Sequence, residues 1–121
     1  MTAIPSIAEA DAAMEAERSM LTGLLGAAGI ADILDALDST LTSDPAALAS
    51  ALEKREREAT SRCAHRIKGG FSSLGATRLC ALLAKLEADA RTADWNDIEA
   101  LHGEAMNEFE RVVGRINSTW R

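Results

Sequence analysis

The chain has 121 residues, 47% of them hydrophobic, which suits one domain with a single core. Its net charge of −6 argues against a nucleic-acid-binding protein, because such proteins need a basic surface to replace phosphate counterions. Proline and aromatic residues are rare whereas Ala, Leu and Glu are abundant, and this bias favours helix over strand. We therefore predict an all-α domain.

The charge is distributed unevenly along the chain. Residues 54–85 carry eight Lys or Arg and two Glu, a net +6, so the remaining residues sum to −12. A basic segment in an acidic chain fits a site for an anionic partner, but it also fits a solvated helix face. Charge alone does not separate these two interpretations.

The sequence also bears on the location of the protein. It shows no basic N-terminal region followed by an apolar stretch and no unbroken apolar run of membrane-spanning length, which predicts neither a signal peptide nor a membrane span. Cys63 and Cys80 lack CxxC spacing, which fits a reduced intracellular protein. We expect a cytoplasmic location, either free or as the cytoplasmic part of an inner-membrane protein.

The first predicted helix covers residues 6–27, with Ser6 as its N-cap and an end near Gly26 or Gly29. We predict that residues 1–28 form an N-terminal helical segment packed on a bundle of residues 29–121, within a single domain.

The second helix begins near Ile30, and its length is open. Pro45 either lies in the first turn of a new helix or kinks one long helix that runs to about Lys54. We favour the long helix because Leu48 and Leu52 continue its apolar stripe.

Three further helices follow. One covers residues 59–74 and stops at Gly75, a residue suited to the left-handed cap position, and the next begins at Ala76 or Thr77. After a turn, Asp94 is a suitable N-cap for a last helix of about 20 residues. Long amphipathic helices joined by short turns predict an up-and-down four-helix bundle with an additional N-terminal helix.

The helix of residues 59–74 has a polar face centred on His65. At about 100° per residue, the opposite face gathers the apolar side chains, namely Cys63, Ile67, Phe71 and Leu74 with the methyl group of Thr60. The residues nearest His65 are Ser61, Lys68, Gly69 and Ser72, with Arg62 at the edge. The imidazole is therefore expected to face solvent from the middle of the helix.

This pattern has a chemical rationale. Gly69 costs about 0.8–1 kcal/mol relative to Ala inside a helix, and Gly70 follows it directly, so the pair requires a compensating reason. A missing side chain four residues after His65 clears space for another protein to approach the ring. Lys68 supplies a positive point charge close to the ring, and an exposed imidazole is largely unprotonated and nucleophilic at cellular pH.

The string AHRIKGGFSSLGATRL, residues 64–79, resembles the signature of histidine-containing phosphotransfer (HPt) domains. That pattern has a His, a Lys three later, a Gly four later, small residues next, and a Gly about ten later followed by a Leu. The matching positions here are His65, Lys68, Gly69, Gly70, Ser72, Ser73, Gly75 and Leu79. Phe71 departs from the usual small residue and lies on the core face.

The resemblance implies a carrier function. His65 would accept a phosphoryl group from a receiver-domain aspartyl phosphate and pass it to the Asp of a response regulator, with Lys68 stabilising the phosphoryl oxygens and Gly69 giving clearance. The domain would not be an autonomous enzyme and would bind no cofactor, because the Mg²⁺ belongs to the receiver. The resemblance further suggests the C-terminal module of a bacterial hybrid sensor histidine kinase, monomeric when isolated and without direct membrane contact.

A docking rim for the receiver is expected around His65. Its predicted members are Ser61, Arg62, Arg66, Ser72 and Ser73, and the arginines would complement an acidic receiver surface and accelerate encounter.

Two alternatives remain open. The chain is also compatible with the N-terminal phosphoacceptor domain of a chemotaxis-type kinase, or with a helical adaptor that carries no phosphoryl group. The other histidine, His102, lies near the apolar stripe of the last helix without a following lysine. We interpret it as a packed, hydrogen-bonded residue.

Overall fold

A computed structural model describes residues 3–121 of the chain. The first helix, α1, covers Ile7–Ala36. Ser6 caps it as predicted, because the backbone N–H of Glu9 donates to the Ser6 Oγ at 3.1 Å. Gly26, with φ +68° and ψ −178°, breaks α1 into two helical parts, so the predicted end near this glycine is a kink.

The continuous second helix that we favoured is wrong. The chain instead continues with α2, Asp38–Leu41, and α3, Ser43–Glu53, and the break between them lies at Thr42. Pro45 lies in the first turn of α3, where its missing N–H is not needed. In a continuous helix Pro45 would lack the hydrogen bond to the Leu41 carbonyl, and its ring would clash with that carbonyl. The Thr42 hydroxyl, which donates to the Asp38 carbonyl at 2.8 Å, further disturbs the backbone ladder.

The remaining helices follow the sequence prediction closely. They are α4, Arg57–Ser72; α5, Thr77–Asp89; and α6, Trp95–Arg115, which continues as a π-helical segment, Ile116–Trp120. Gly75 has φ +71°, and a Cβ atom there would lie 2.8 Å from the Ala13 carbonyl oxygen. Glycine is therefore required at this turn both by the backbone conformation and by the approach of α1.

The helices enclose one apolar core, which confirms the all-α bundle. Phe71 lies at its centre with its ring edge-on to that of Phe109, the two centroids 5.5 Å apart. The predicted core face of α4 is buried at Thr60, Ile67, Phe71 and Leu74, and Cys63 is half-buried. These side chains orient α4 and leave its opposite face outward.

By length and composition alone, α1 is able to cross a membrane, a possibility that the search for an unbroken apolar run missed. The structure packs both parts of α1 into the bundle. Ala10 and Met14 are buried before the kink, and Ile30 and Leu34 are buried after it. Both parts of α1 thus contribute residues to the core, although only 11% of its apolar 18-residue stretch is buried.

A polar cluster joins the start of α1 to α5 and α6. Arg111 donates to both carboxylate oxygens of the buried Glu108, at 2.8 and 2.7 Å, and also to Asp11 on α1. Arg78 donates to the Pro5 carbonyl oxygen at 2.9 Å. We call Asp11, Arg78, Glu108 and Arg111 the N-terminal clasp, because these contacts hold the beginning of α1 on the bundle.

Candidate functional site

His65 lies in the middle of α4 with its side chain 67% exposed. The prediction that the imidazole faces solvent is confirmed. Ala64 and Ile67, which flank His65 in the same helix, are fully buried and pack this part of α4 against the core. The ring is therefore presented outward from a rigid element, not from a loop.

Glu87 on α5 is the partner of the imidazole. Its Oε2 lies 3.0 Å from the His65 Nδ1, and its Oε1 accepts a hydrogen bond from the Lys68 Nζ at 2.8 Å. One carboxylate thus bridges the histidine and the lysine of α4. Sequence analysis missed Glu87, which is 22 residues away from His65.

The hydrogen bond from Lys68 is the main reason that the pKa of Glu87 lies below its ordinary value, and the contact with His65 lowers this pKa further. The carboxylate is therefore ionised at neutral pH and accepts hydrogen bonds only. Consequently the neutral His65 ring carries its proton on Nδ1, where Glu87 accepts it, and has a free lone pair on Nε2. The nitrogen with the free lone pair is therefore Nε2, which does not contact Glu87.

The two neighbouring glycines serve different purposes. A Cβ atom added at Gly69 would meet nothing within 4 Å, so the surface beside His65 is open there. At Gly70 a Cβ atom would lie 2.7 Å from the Thr40 Cγ2 and 2.8 Å from its Oγ1. Gly69 therefore leaves clearance outside the bundle, whereas Gly70 permits close packing of α4 against α2.

The predicted docking rim is exposed at four of its five positions, Arg62, Arg66, Ser72 and Ser73. The expected exposure of Ser61 is wrong, since this residue is only 1% exposed. Its hydroxyl donates to the Glu87 carbonyl oxygen at 2.8 Å, because α5 covers this side of α4. Ser61 holds the α5 backbone next to the site and is not available to a partner.

An open cleft of about 470 Å³ adjoins His65 on the side of Arg62. Its lining adds a residue that the sequence did not indicate, Arg91, which follows the end of α5. The lining residues are Ser61, Arg62, His65, Arg66, Glu87 and Arg91. Three guanidinium groups thus surround one exposed imidazole in a chain whose net charge is −6.

An exposed imidazole among cations, on the flank of a helical bundle, defines a class of domain suited to accepting a phosphoryl group. The family model of the Hpt domain matches residues 30–113, more than half of the chain. The chain belongs to the Hpt domain family, whose members act in histidine-containing phosphotransfer in two-component signalling and interact with receiver domains. Searches of the curated proteins and of the solved structures gave no match.

Proposed function

We propose that this domain is a phosphorelay carrier in which His65 takes a phosphoryl group from the aspartyl phosphate of one receiver domain and passes it to the Asp of a response regulator. The observation that carries the proposal is the contact of Glu87 with the His65 Nδ1 at 3.0 Å, beside an imidazole that is 67% exposed. This arrangement leaves Nε2 free to attack a phosphorus atom presented from outside.

In the accepting step the Nε2 lone pair forms a bond to phosphorus while the bond from phosphorus to the aspartyl oxygen breaks. The leaving carboxylate keeps the electron pair of that bond. The positive charge that develops on the ring is stabilised by the ionised Glu87, which stays on Nδ1. The donating step is the reverse, with the Asp of the second receiver as the nucleophile.

Lys68 supports this chemistry from one side of the ring. Its ammonium group is held by Glu87 at 2.8 Å and remains partly exposed. Its positive charge is therefore available to the oxygens of a phosphoryl group on His65. Phosphoryl transfer depends mainly on positioning and on neutralisation of charge. We assign stabilisation of the phosphoryl oxygens to Lys68, as the sequence suggested.

The receiver would dock over the open surface along α4. Gly69 contributes clearance next to the ring, while Ser72 and Ser73 offer hydroxyl groups beyond it. Arg62 and Arg66 supply positive charge for an acidic receiver surface on the other side of His65. In this arrangement the Mg²⁺ required for transfer is held by the receiver, and the carrier binds no cofactor.

The proposal extends to the setting of the domain. We place it in the cytoplasm as a monomer, as the phosphotransfer module of a bacterial hybrid sensor histidine kinase. The match to the Hpt domain supports a place in a two-component phosphorelay, and the hybrid-kinase setting rests on the resemblance of residues 64–79 alone.

Incubation with a ³²P-phosphorylated receiver domain tests the proposal. We expect the purified chain to gain acid-labile label, and the His65→Gln variant to gain none. His102→Gln serves as the matched control, because it removes the second histidine of the chain and should retain full labelling. Labelling by ATP and a kinase catalytic domain but by no receiver would favour the chemotaxis-type phosphoacceptor, and labelling of the His65→Gln variant would refute the assigned site.

A further inference from the structure

The cleft beside His65 has features that neither docking nor Lys68 explains. Arg62, Arg66 and Arg91 line it, together with one acidic side chain, Glu87. Lys68 does not belong to its lining and is paired with Glu87 instead. The cleft therefore has a cationic lining of its own, formed by three arginines beside Glu87.

His65 belongs to the lining of this cleft, and its free ring nitrogen is Nε2. Ser61 and Lys68 both contact Glu87, so their side of α4 faces α5. Arg66 contacts Asp44 on α3, and Arg62 lies on that same side of the helix, about 60° from His65. Glu87 holds Nδ1 and leaves Nε2 as the free ring nitrogen, and His65 lines the same cleft as Arg62, Arg66 and Arg91.

The guanidinium groups are weakly engaged. Arg66 lies 3.8 Å from Asp44 and Arg91 lies 3.7 Å from Glu58, and both arginine side chains are more than half exposed. Ion pairs of this length and exposure contribute little and exchange easily for a stronger anion. Arg62 has no acidic group within 4.0 Å among residues 3–121.

The position of Arg91 is fixed by its backbone. Arg57, at the start of α4, donates to the carbonyl oxygens of Ala90 and Ala93, at 3.2 and 2.7 Å. These bonds hold the turn after α5 against α4 on both sides of Arg91. Because the backbone of this turn is already ordered, binding by Arg91 costs only the conformational entropy of its side chain.

We propose that Arg62, Arg66 and Arg91 form an intramolecular binding site for the phosphoryl group of phosphorylated His65. The inference rests on the proposed function of His65. A dianionic phosphoryl group on Nε2 offers three acceptor oxygens, and guanidinium groups bind such oxygens with paired, charge-assisted hydrogen bonds. Lys68 contributes its charge from the α5 side, Arg62 and Arg66 contact the phosphoryl oxygens from the α3 side, and Arg91 contacts them from the turn after α5.

The test needs no partner protein, which separates phosphoryl binding from docking. Phosphoramidate phosphorylates exposed histidines directly: the Nε2–P bond forms while the P–N bond of the reagent breaks and ammonia leaves. The pKa of the attached phosphoryl group is then measured by ³¹P NMR titration. We expect the Arg62→Gln and Arg91→Gln variants each to raise this pKa by about half a pH unit, and the double variant by about one.

Three variants sharpen the test. Arg62→Lys and Arg91→Lys keep the charge and should restore part of the difference. Arg18→Gln is the matched control, since Arg18 is an α1 arginine paired with Glu15 and should leave the phosphoryl pKa unchanged. Arg66 is left intact so that its 3.8 Å contact with Asp44 stays the same in every variant.

A double variant that folds, becomes phosphorylated on His65 and shows the parental phosphoryl pKa would overturn the proposal. That result would leave the carrier function standing, because the labelling from a receiver is measured separately. Failure of the parent chain to become labelled by phosphoramidate or by any receiver would instead remove the proposed function itself.

Discussion

Glu87 determines which nitrogen of the neutral His65 ring carries the proton. It holds the Nδ1 side of His65 and fixes the Lys68 ammonium with its other oxygen. In Glu87→Gln the neutral amide loses the charge that stabilises the ring during transfer. We expect phosphotransfer from a receiver to slow by about 10- to 150-fold with unchanged helical content, because one charge-assisted hydrogen bond contributes about 1.5–3 kcal/mol.

Single-turnover transfer rates measure this effect, and Glu110→Gln, which changes an exposed carboxylate on α6, is the control. An unchanged rate in Glu87→Gln would mean that the bridge to His65 and Lys68 has no part in the chemistry.

Sequence analysis identified the histidine, lysine and glycine of α4 because they share one helix, where spacing alone determines the face. Glu87 belongs to another helix, and its contact with His65 depends on how the two helices pair. A signal was nevertheless present: in a hairpin that turns at Gly75, the residues opposite His65 lie near positions 84–88, and Glu87 is the one carboxylate among them. Ser61 was misplaced for the same reason, since the helical wheel does not show which polar side α5 covers.

His102 gives the protein a dependence on pH that is separate from the site. It is partly buried as predicted, but within residues 3–121 its Nε2 has no hydrogen-bond partner, contrary to expectation. Burial lowers the pKa of His102 from its ordinary 6.5, so below pH 6.5 the unfolded chain binds more protons at this position than the folded one.

Stability should therefore fall as the pH decreases from about 6.5, and the loss should end once the folded protein also protonates His102. Urea unfolding between pH 7.5 and 5 measures this, with His102→Gln as the comparison. We expect a shallower decline in the variant, and an identical slope in both proteins would contradict the assignment.

At the scale of helices, the two consecutive glycines of α4 are expected to respond in opposite ways to replacement by alanine. Gly69→Ala should stabilise the protein by about 0.8–1 kcal/mol, because its new methyl group meets nothing within 4 Å and helix propensity improves. Gly70→Ala should destabilise it by about 1–3 kcal/mol, because the methyl group would overlap the buried Thr40. Chemical denaturation of both variants checks this, and effects of the same sign would contradict the packing of α2 on α4.

The boundaries of most helices followed from local chemistry. Gly75 at positive φ and Ser6 as an N-cap depend on a few neighbouring atoms, so their residue types predicted them. The interruption between α2 and α3, with Pro45 in the first turn of a new helix, was the alternative that we did not favour, because the apolar stripe continues through it at Leu48 and Leu52. Periodicity reports which side of a segment is buried, whereas the break at Thr42 depends on Pro45 and on local hydroxyl hydrogen bonds.

For the molecule as a whole, the N-terminal clasp attaches α1 to a bundle that the family match describes only from residue 30. Arg111→Ala should lower the free energy of unfolding by about 2–4 kcal/mol, since it leaves the buried Glu108 with Arg78 at 3.5 Å as its remaining cation. Asp11→Ala should cost less than about 1 kcal/mol, because this carboxylate is partly exposed.

Urea unfolding gives both energies, and receiver-dependent labelling of His65 should survive in Asp11→Ala. Equal losses of stability in the two variants would show that Glu108 does not depend on Arg111. Loss of labelling in a folded Asp11→Ala protein would link the clasp to the site, which this structure does not suggest.

The most direct measurement for the whole account is a ¹H–¹⁵N correlation spectrum of the imidazole of His65, recorded before and after phosphorylation by a receiver. We predict that the neutral ring carries its proton on Nδ1 in the free protein and that phosphorus becomes bonded to Nε2. Phosphorus on Nδ1, or a free ring protonated on Nε2, would contradict the role of Glu87 and with it the outward nucleophile.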